Sequence, residues 1–216
     1  MKQLTASRYL KTIGRLFFVW AITASVGYHS ASNIFASALP LLTEVVDALD
    51  SDFVPHIEIV GDKHKEKLQM SAFIVRNLAV TSKGYIAAGQ TTGVLQADLH
   101  HLLVPCVLAW TFLFAAPVTS ILELILRTGA GVVAFFVLLA LMTSVQLIGL
   151  FDIWVVETTE RAGVSIEAPW ALQFLLFSES GGRWLIGIVV GLCCAAAARR
   201  LARDGGTTGQ YERDKT

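Results

Sequence analysis

The chain has 216 residues, 54% of them hydrophobic and 16% charged, and a mean hydropathy of +0.60, which excludes an ordinary soluble domain. Its 17 bases balance its 17 acids, so bulk electrostatics make no case for nucleic-acid binding. Cys106, Cys193 and Cys194 all lie in apolar stretches without metal-ligand spacing, which argues against a disulfide framework.

Residues 1–15 carry Lys2, Arg8, Lys11 and Arg15 and no acid, the flank expected of a cytoplasmic N-terminus. A first span follows over residues 16–42, strongly apolar at Leu16 to Trp20 and softer through Gly27, Tyr28, His29, Ser30 and Asn33. A cleavable signal peptide competes with this reading, since Ala31, Ser32, Ala36 and Ser37 suit a peptidase. The return of hydrophobicity at Ile34, Phe35 and Leu39 to Leu42 favours an uncleaved span ending near Pro40.

Residues 43–101 form the one large polar segment and are expected outside the cytoplasm. After an acidic helical exit through Glu44, Asp47, Asp50 and Asp52, β-favouring residues group at Ile57 to Val60, Phe73 to Val80 and Tyr85 to Leu95. Turn-like clusters Gly61-Asp62-Lys63 and Ser82-Lys83-Gly84 separate them, predicting an antiparallel sheet of three or so strands. So few strands bury little apolar area alone, so the sheet must lean on the helices or on a partner.

Two runs of about 20 apolar residues come next, each enough to cross a hydrocarbon core. They are residues 102–122 and 129–153, and neither shows the charged stripe of a soluble core helix. The seam between them, 123–128, reads as a cytoplasmic turn marked by Arg127. Residues 154–183 read as an external loop holding a short interfacial helix at Pro169 to Phe177. The fourth span covers 184–198, and Arg199, Arg200 and Arg203 open a disordered cytoplasmic tail, 199–216. The expected protein is thus an α-helical integral membrane protein of four transmembrane helices with a small extracytoplasmic antiparallel β segment. Both termini face the cytoplasm of a bacterial inner membrane.

Three groups of residues invite chemistry. His100 and His101 precede Cys106 near the outer mouth of span two. With Arg183 as an oxyanion donor they suggest a cysteine transpeptidase or protease. The plainer reading makes the histidines interfacial and Cys106 a small buried hydrophobe, and no surrounding motif supports catalysis. A haem or copper site pairing His29 with His100 or His101 is weaker still, so no cofactor and no metal are assigned. The intramembrane polar residues His29, Asn33 and Gln146 are read first as interhelical hydrogen-bonding groups. Gly187 and Gly191 form a GxxxG packing face on span four.

The order of parts resembles the small membrane proteins found beside bacterial exosortases, of the exosortase H-associated type. The resemblance is carried by a first span, an external β-rich segment and a second span entered through Leu102-Leu103-Val104-Pro105. The basic turn at Arg127 and the entry Gly181-Gly182-Arg183-Trp184 to the last span belong to it too. It implies an accessory of a system that sorts tagged proteins to the cell envelope. Pro105 and Val107 flank Cys106, unlike the small-residue cysteine motif of the exosortase enzyme, so this chain is not expected to be the transpeptidase itself. A non-enzymatic accessory or assembly subunit is therefore expected, meeting the lipid bilayer and a membrane-protein partner or a second copy of itself. An oligomeric transporter subunit remains the third alternative.

Overall fold

The computed structural model describes residues 2–61, 65–81, 84–161 and 163–213, with side chains described over 10–61, 65–78, 86–161 and 163–204. The chain is mostly helical. Its elements run α1 (Lys2–Leu49), β1 (Phe53–Val60), β2 (Lys67–Ile74), β3 (Leu78–Thr81), β4 (Gly84–Ile86), β5 (Leu95–Asp98), α2 (Leu99–Ala115), α3 (Ile121–Arg161), α4 (Trp170–Phe177), a π turn (Ser178–Gly182) and α5 (Arg183–Arg213). Three helical stretches are long and apolar enough to cross a membrane: Leu10–Leu49, Ile121–Arg161 and Trp170–Asp204. Leu99–Ala115 is a shorter apolar helix of 17 residues.

The chain divides into two compact units. The first comprises Met1–Tyr28, Val104–Leu138 and Trp184–Thr216. Its organising helix is α2, which touches all three neighbours. Thr23 of α1 shares a 2.9 Å hydrogen bond with Thr111. A Cβ on Gly27 would meet Val107 at 3.0 Å. From α3, Phe135 accepts a weak bond from the Cys106 thiol at 3.7 Å, and a Cβ on Gly131 would meet Leu113 at 2.7 Å. From α5, Cβ atoms on Gly187 and Gly191 would fall 2.5 Å from the Pro105 carbonyl oxygen and 2.4 Å from that of Ala109. The pairings fall along one helix and rise along the other for α1 and α3, so both run antiparallel to α2. Positions 187 and 191 meet 105 and 109 in rising order, so α5 runs parallel to it. The GxxxG face therefore packs within the chain, backbone against backbone.

The second unit comprises His29–Leu103 and Leu139–Arg183. Here α1 buries Ala31, Phe35, Ala38, Leu42 and Val46, a stripe at steps of three and four residues that puts them on one helical face. The sheet order is β1-β2-β5, all antiparallel, with β3 and β4 as a separate two-stranded ribbon. Alternation sends Phe53, Ile57, Leu68, Met70, Ala72 and Ile74 inward, and Phe53 packs against Phe151 of α3 with ring centroids 4.3 Å apart and the rings tilted by 34°. The outward face carries a ladder in which Lys67 donates to Gln96, Gln96 to Gln69 and Gln69 to Glu58, at 3.3, 3.4 and 3.0 Å.

Several expectations shift. The expected turn at 123–128 is helical, and the break falls between Ala115 and Ile121, where Pro117 cannot continue α2. Ser120 begins α3 by accepting the Glu123 N–H at 3.1 Å, so Glu123 and Arg127 occupy its first turns. The run Phe73 to Val80 splits between β2 and β3, and Lys67 to Met70, not anticipated, is strand because β1 pairs with it from Val60 to Ile57. Helix α1 passes through Pro40 to Leu49, and α3 continues past 153 to Arg161. Helix α5 continues to Arg213, through residues expected to form the tail, since extending a nucleated helix is easier than starting one. Asp62 and Lys63 of one expected turn, and Ser82 and Lys83 of the other, lie outside the described residues. So do the side chains of Lys2, Arg8, Arg213 and Lys215, used above to orient the chain.

Candidate functional site

Polar groups gather in a cleft of about 180 Å³ within the second unit, lined among others by Asp98, His101, Gln146, Glu179 and Arg183. Each arrives from a different local cause. Asp98 ends β5 and caps α2, its Oδ1 accepting the N–H groups of His100 at 2.8 Å and His101 at 3.4 Å. That cap fixes the entry of α2 and leaves the exposed His101 side chain at the cleft. Gln146, 5% exposed, projects from α3 and donates from Nε2 to Ser178 Oγ at 3.2 Å.

Glu179 and Arg183 are held by the π turn. Gly181 takes φ 107°, a left-handed conformation that residues with a Cβ rarely adopt. A Cβ on Gly182 would fall 2.2 Å from the Phe177 ring, which would have to shift to admit it. The turn sets Glu179 four residues before Arg183, and the two form an ion pair. Arg183, 5% exposed, also donates to the carbonyls of Ser178 at 3.2 Å and His101 at 3.4 Å. The guanidinium thus ties the start of α5 to the start of α2 and to the π turn. Burying a cation this deeply is tolerable because three acceptors surround it.

A second polar cluster occupies the first unit. Arg127 and Glu123, both fully buried, form an ion pair on successive turns of α3. Arg127 donates to the carbonyls of Leu113 at 3.0 Å, Ala116 at 2.8 Å and Pro117 at 3.3 Å. These are carbonyls at the end of α2 and just beyond it, where no following turn of helix supplies donors. Arg199 of α5 adds bonds to Glu123 at 3.3 Å and to the Pro117 carbonyl at 3.0 Å. Glu123 completes its shell with the N–H and hydroxyl of Thr119. Glu123 and the carbonyls beyond α2 take up the terminal nitrogens of Arg127, while its Nε–H is buried without an acceptor among the described residues; the cluster acts as a structural clasp.

Of the residues singled out from the sequence, the structure brings His101, Gln146 and Arg183 to one cleft. Cys106 is not with them. It is buried, five residues beyond His101 on α2, hence on another helical face, with its thiol on the Phe135 carbonyl. His29 and Asn33 lie on the exposed face of α1, opposite its buried stripe. Gly187 and Gly191 belong to the α2–α5 contact. The sequence reading missed Asp98 and Glu179 as site residues, and it missed the clasp. The signals were present: Ser120-Ile121-Leu122-Glu123 has the spacing of a helix N-terminal capping box, and Asp98 directly precedes an apolar run.

Chemically, the cleft offers a guanidinium already committed to partners, two carboxylates, an amide and an imidazole. That is a binding arrangement for a small polar group. Among the described residues, no cluster of three or more side chains fit to hold a metal is present. Comparison with known proteins gives no matching family model, no matching curated sequence and no matching solved structure.

Proposed function

We propose that the chain is a non-enzymatic subunit of an inner-membrane assembly that crosses the membrane four times and holds out its sheet to an extended segment of a partner protein. Four crossings, counting α2, are supported by the way α2 is enclosed. Between Pro105 and Leu113 it lies along α1, α3 and α5, and with 17 residues, about 25 Å, it approaches the thickness of a hydrocarbon core. The helix directions alternate as a four-span chain requires, antiparallel for α1 and α3 and parallel for α5. Large apolar residues including Phe17, Phe18, Val133 and Leu192 are exposed on these helices, as a lipid-facing surface demands. With four crossings and basic ends, both termini lie in the cytoplasm.

The observation that carries partner binding is β1. It is eight residues long and stands at the edge of the sheet, paired only with β2 among the described residues. A free edge of that length accepts a further strand, with main-chain bonds giving affinity and side chains giving selection. The resemblance to exosortase-associated proteins makes protein sorting the process of first interest. Mild-detergent affinity purification of the tagged protein tests the reading, with a photo-crosslinking residue at Val54 and, as control, at Phe18. Recovery of a stoichiometric envelope or membrane protein crosslinked from Val54 and not from Phe18 is expected. Recovery of this chain alone would refute the proposal.

A further inference from the structure

Val75 donates to the Asp52 carbonyl, and an antiparallel ladder turns every second residue of a strand to its partner. Val54, His56, Glu58 and Val60 therefore bond to β2, while Phe53, Pro55, Ile57 and Ile59 aim their main-chain groups away from it. The far side of β2 has the matching parity: Ala72 and Ile74, which face Pro55 and Phe53, bond to Thr92, Gln90 and Gly89. The open edge of β1 is not uniform. Phe53 is 0% exposed, so the edge is covered there, and Pro55 is buried and has no N–H to give. Pairing through both N–H and C=O is left to Ile57 and Ile59, the latter partly exposed.

Resting on the edge-docking reading above, we infer that β1 receives a short extended protein segment with a basic residue opposite Glu58 and an apolar residue two positions away, opposite Val60. Pro55 marks where the pairing stops. Residues that bond to β2 form the non-hydrogen-bonded pairs toward a docked strand, and such pairs bring side chains closest, with Cα atoms roughly 4.5 Å apart. Selection thus falls on the outward row. In that row Glu58 is exposed, and Gln69, donating to its Oε1 at 3.0 Å, holds the carboxylate on this face. Val60 ends the row with an apolar side chain. An opposite charge directly across stabilises a strand pair, and a like charge destabilises it. The spacing of two keeps both partner side chains on one face whichever way the segment runs. A second copy of this chain fits less well. In the antiparallel register that pairs Ile57 with Ile59, Glu58 of one copy faces Glu58 of the other. The register that sets His56 across from Glu58 aims both Ile59 carbonyls at Pro55, which has no N–H for them.

The test uses the full chain in mild detergent and labelled synthetic peptides, read by fluorescence anisotropy. The peptides are Thr-Val-Thr-Lys-Thr, its reverse Thr-Lys-Thr-Val-Thr, and both again with Glu in place of Lys. One Lys peptide is expected to bind about fivefold tighter than its Glu counterpart, and Glu58→Lys to invert the preference. The order that binds gives the direction of the docked strand. Ile59→Pro removes a donor from the open side and leaves the β1–β2 ladder whole, so affinity should fall severalfold with the melting curve close to wild type. Lys and Glu peptides that bind alike, and are lost in Ile59→Pro, would overturn the basic preference and leave the edge-docking reading standing. Binding of no peptide, or binding indifferent to Ile59→Pro, would overturn both. A dimer that Ile59→Pro dissolves would seat a second copy on the edge and likewise overturn the inference.

Discussion

Arg127 and Leu113, 14 positions apart, are joined by a 3.0 Å hydrogen bond from a fully buried guanidinium to a carbonyl in the last turn of α2. The bond closes a helix end that has no following turn to satisfy it, and Glu123 balances the charge. Removing Arg127 leaves the buried Glu123 with only the part-exposed Arg199 as counter-charge and strands the carbonyls beyond α2, whereas removing Glu123 as well takes away the buried charge. Arg127→Met is therefore expected to lower the thermal midpoint by about 5 °C or more. Adding Glu123→Leu should recover part of that loss. Melting the two variants and the wild type in the same detergent checks the order, and a double variant worse than the single one would contradict it.

The α2–α5 contact depends on the missing side chains of Gly187 and Gly191. A Cβ at Gly191 would sit 2.4 Å from the Ala109 carbonyl oxygen, which is backbone and cannot swing away. Gly191→Val should cost about 1–3 kcal/mol by overpacking. Gly14, which has nothing within 4 Å of its would-be Cβ, tolerates Ala as a control. Denaturation in mixed micelles measures both.

The Thr23–Thr111 bond is a different kind of joint. The two hydroxyl protons serve three close contacts, the shared one and those to the carbonyls of Val107 (2.7 Å from Thr111) and Val19 (3.0 Å from Thr23), so when the shared bond is made only one hydroxyl keeps its own-helix carbonyl. Thr111→Val should therefore cost only about 0.6 kcal/mol, the usual worth of an interhelical side-chain bond. A loss several times larger would mean that the contact does more than join two helices.

Asp98 caps α2, so Asp98→Ala should destabilise by about 1 kcal/mol while Asp98→Asn should be nearly neutral. The comparison separates the cap from the charge, and it is read from melting curves without added lipid.

Asp50, just beyond α1, carries a carboxyl whose pKa is raised above 3.8, first by burial, opposed by the Asp52 N–H that it accepts and reinforced by the Asp52 charge. A raised acid holds its proton more tightly in the folded state, so its stabilising contribution is present below the unfolded pKa. That contribution is lost as pH rises through the folded pKa. Asp50→Asn, which keeps the oxygen that accepts the Asp52 N–H, should flatten the decline in stability as pH rises above 3.8. An unchanged slope in pH-resolved melting would show that Asp50 is not its source.

The membrane character, the long apolar helices and the existence of a sheet between α1 and α2 were determined by the sequence alone. Apolar runs and strand alternation are local sums, read from neighbouring residues without knowledge of their partners. The tertiary structure decided what local sums cannot. Arg127 reads as a turn marker until the break after Ala115 gives it three carbonyls to hold. The GxxxG of α5 reads as a packing face for a helix of this chain or of a partner until Pro105 and Ala109 occupy it. Asp98, Gln146, Glu179 and Arg183 come from four separate elements, and they share a cleft only because Gly181 and Gly182 turn the chain sharply enough to bring the start of α5 back to the start of α2. Which polar groups meet depends on long-range packing, and that packing is where the site of this protein is made.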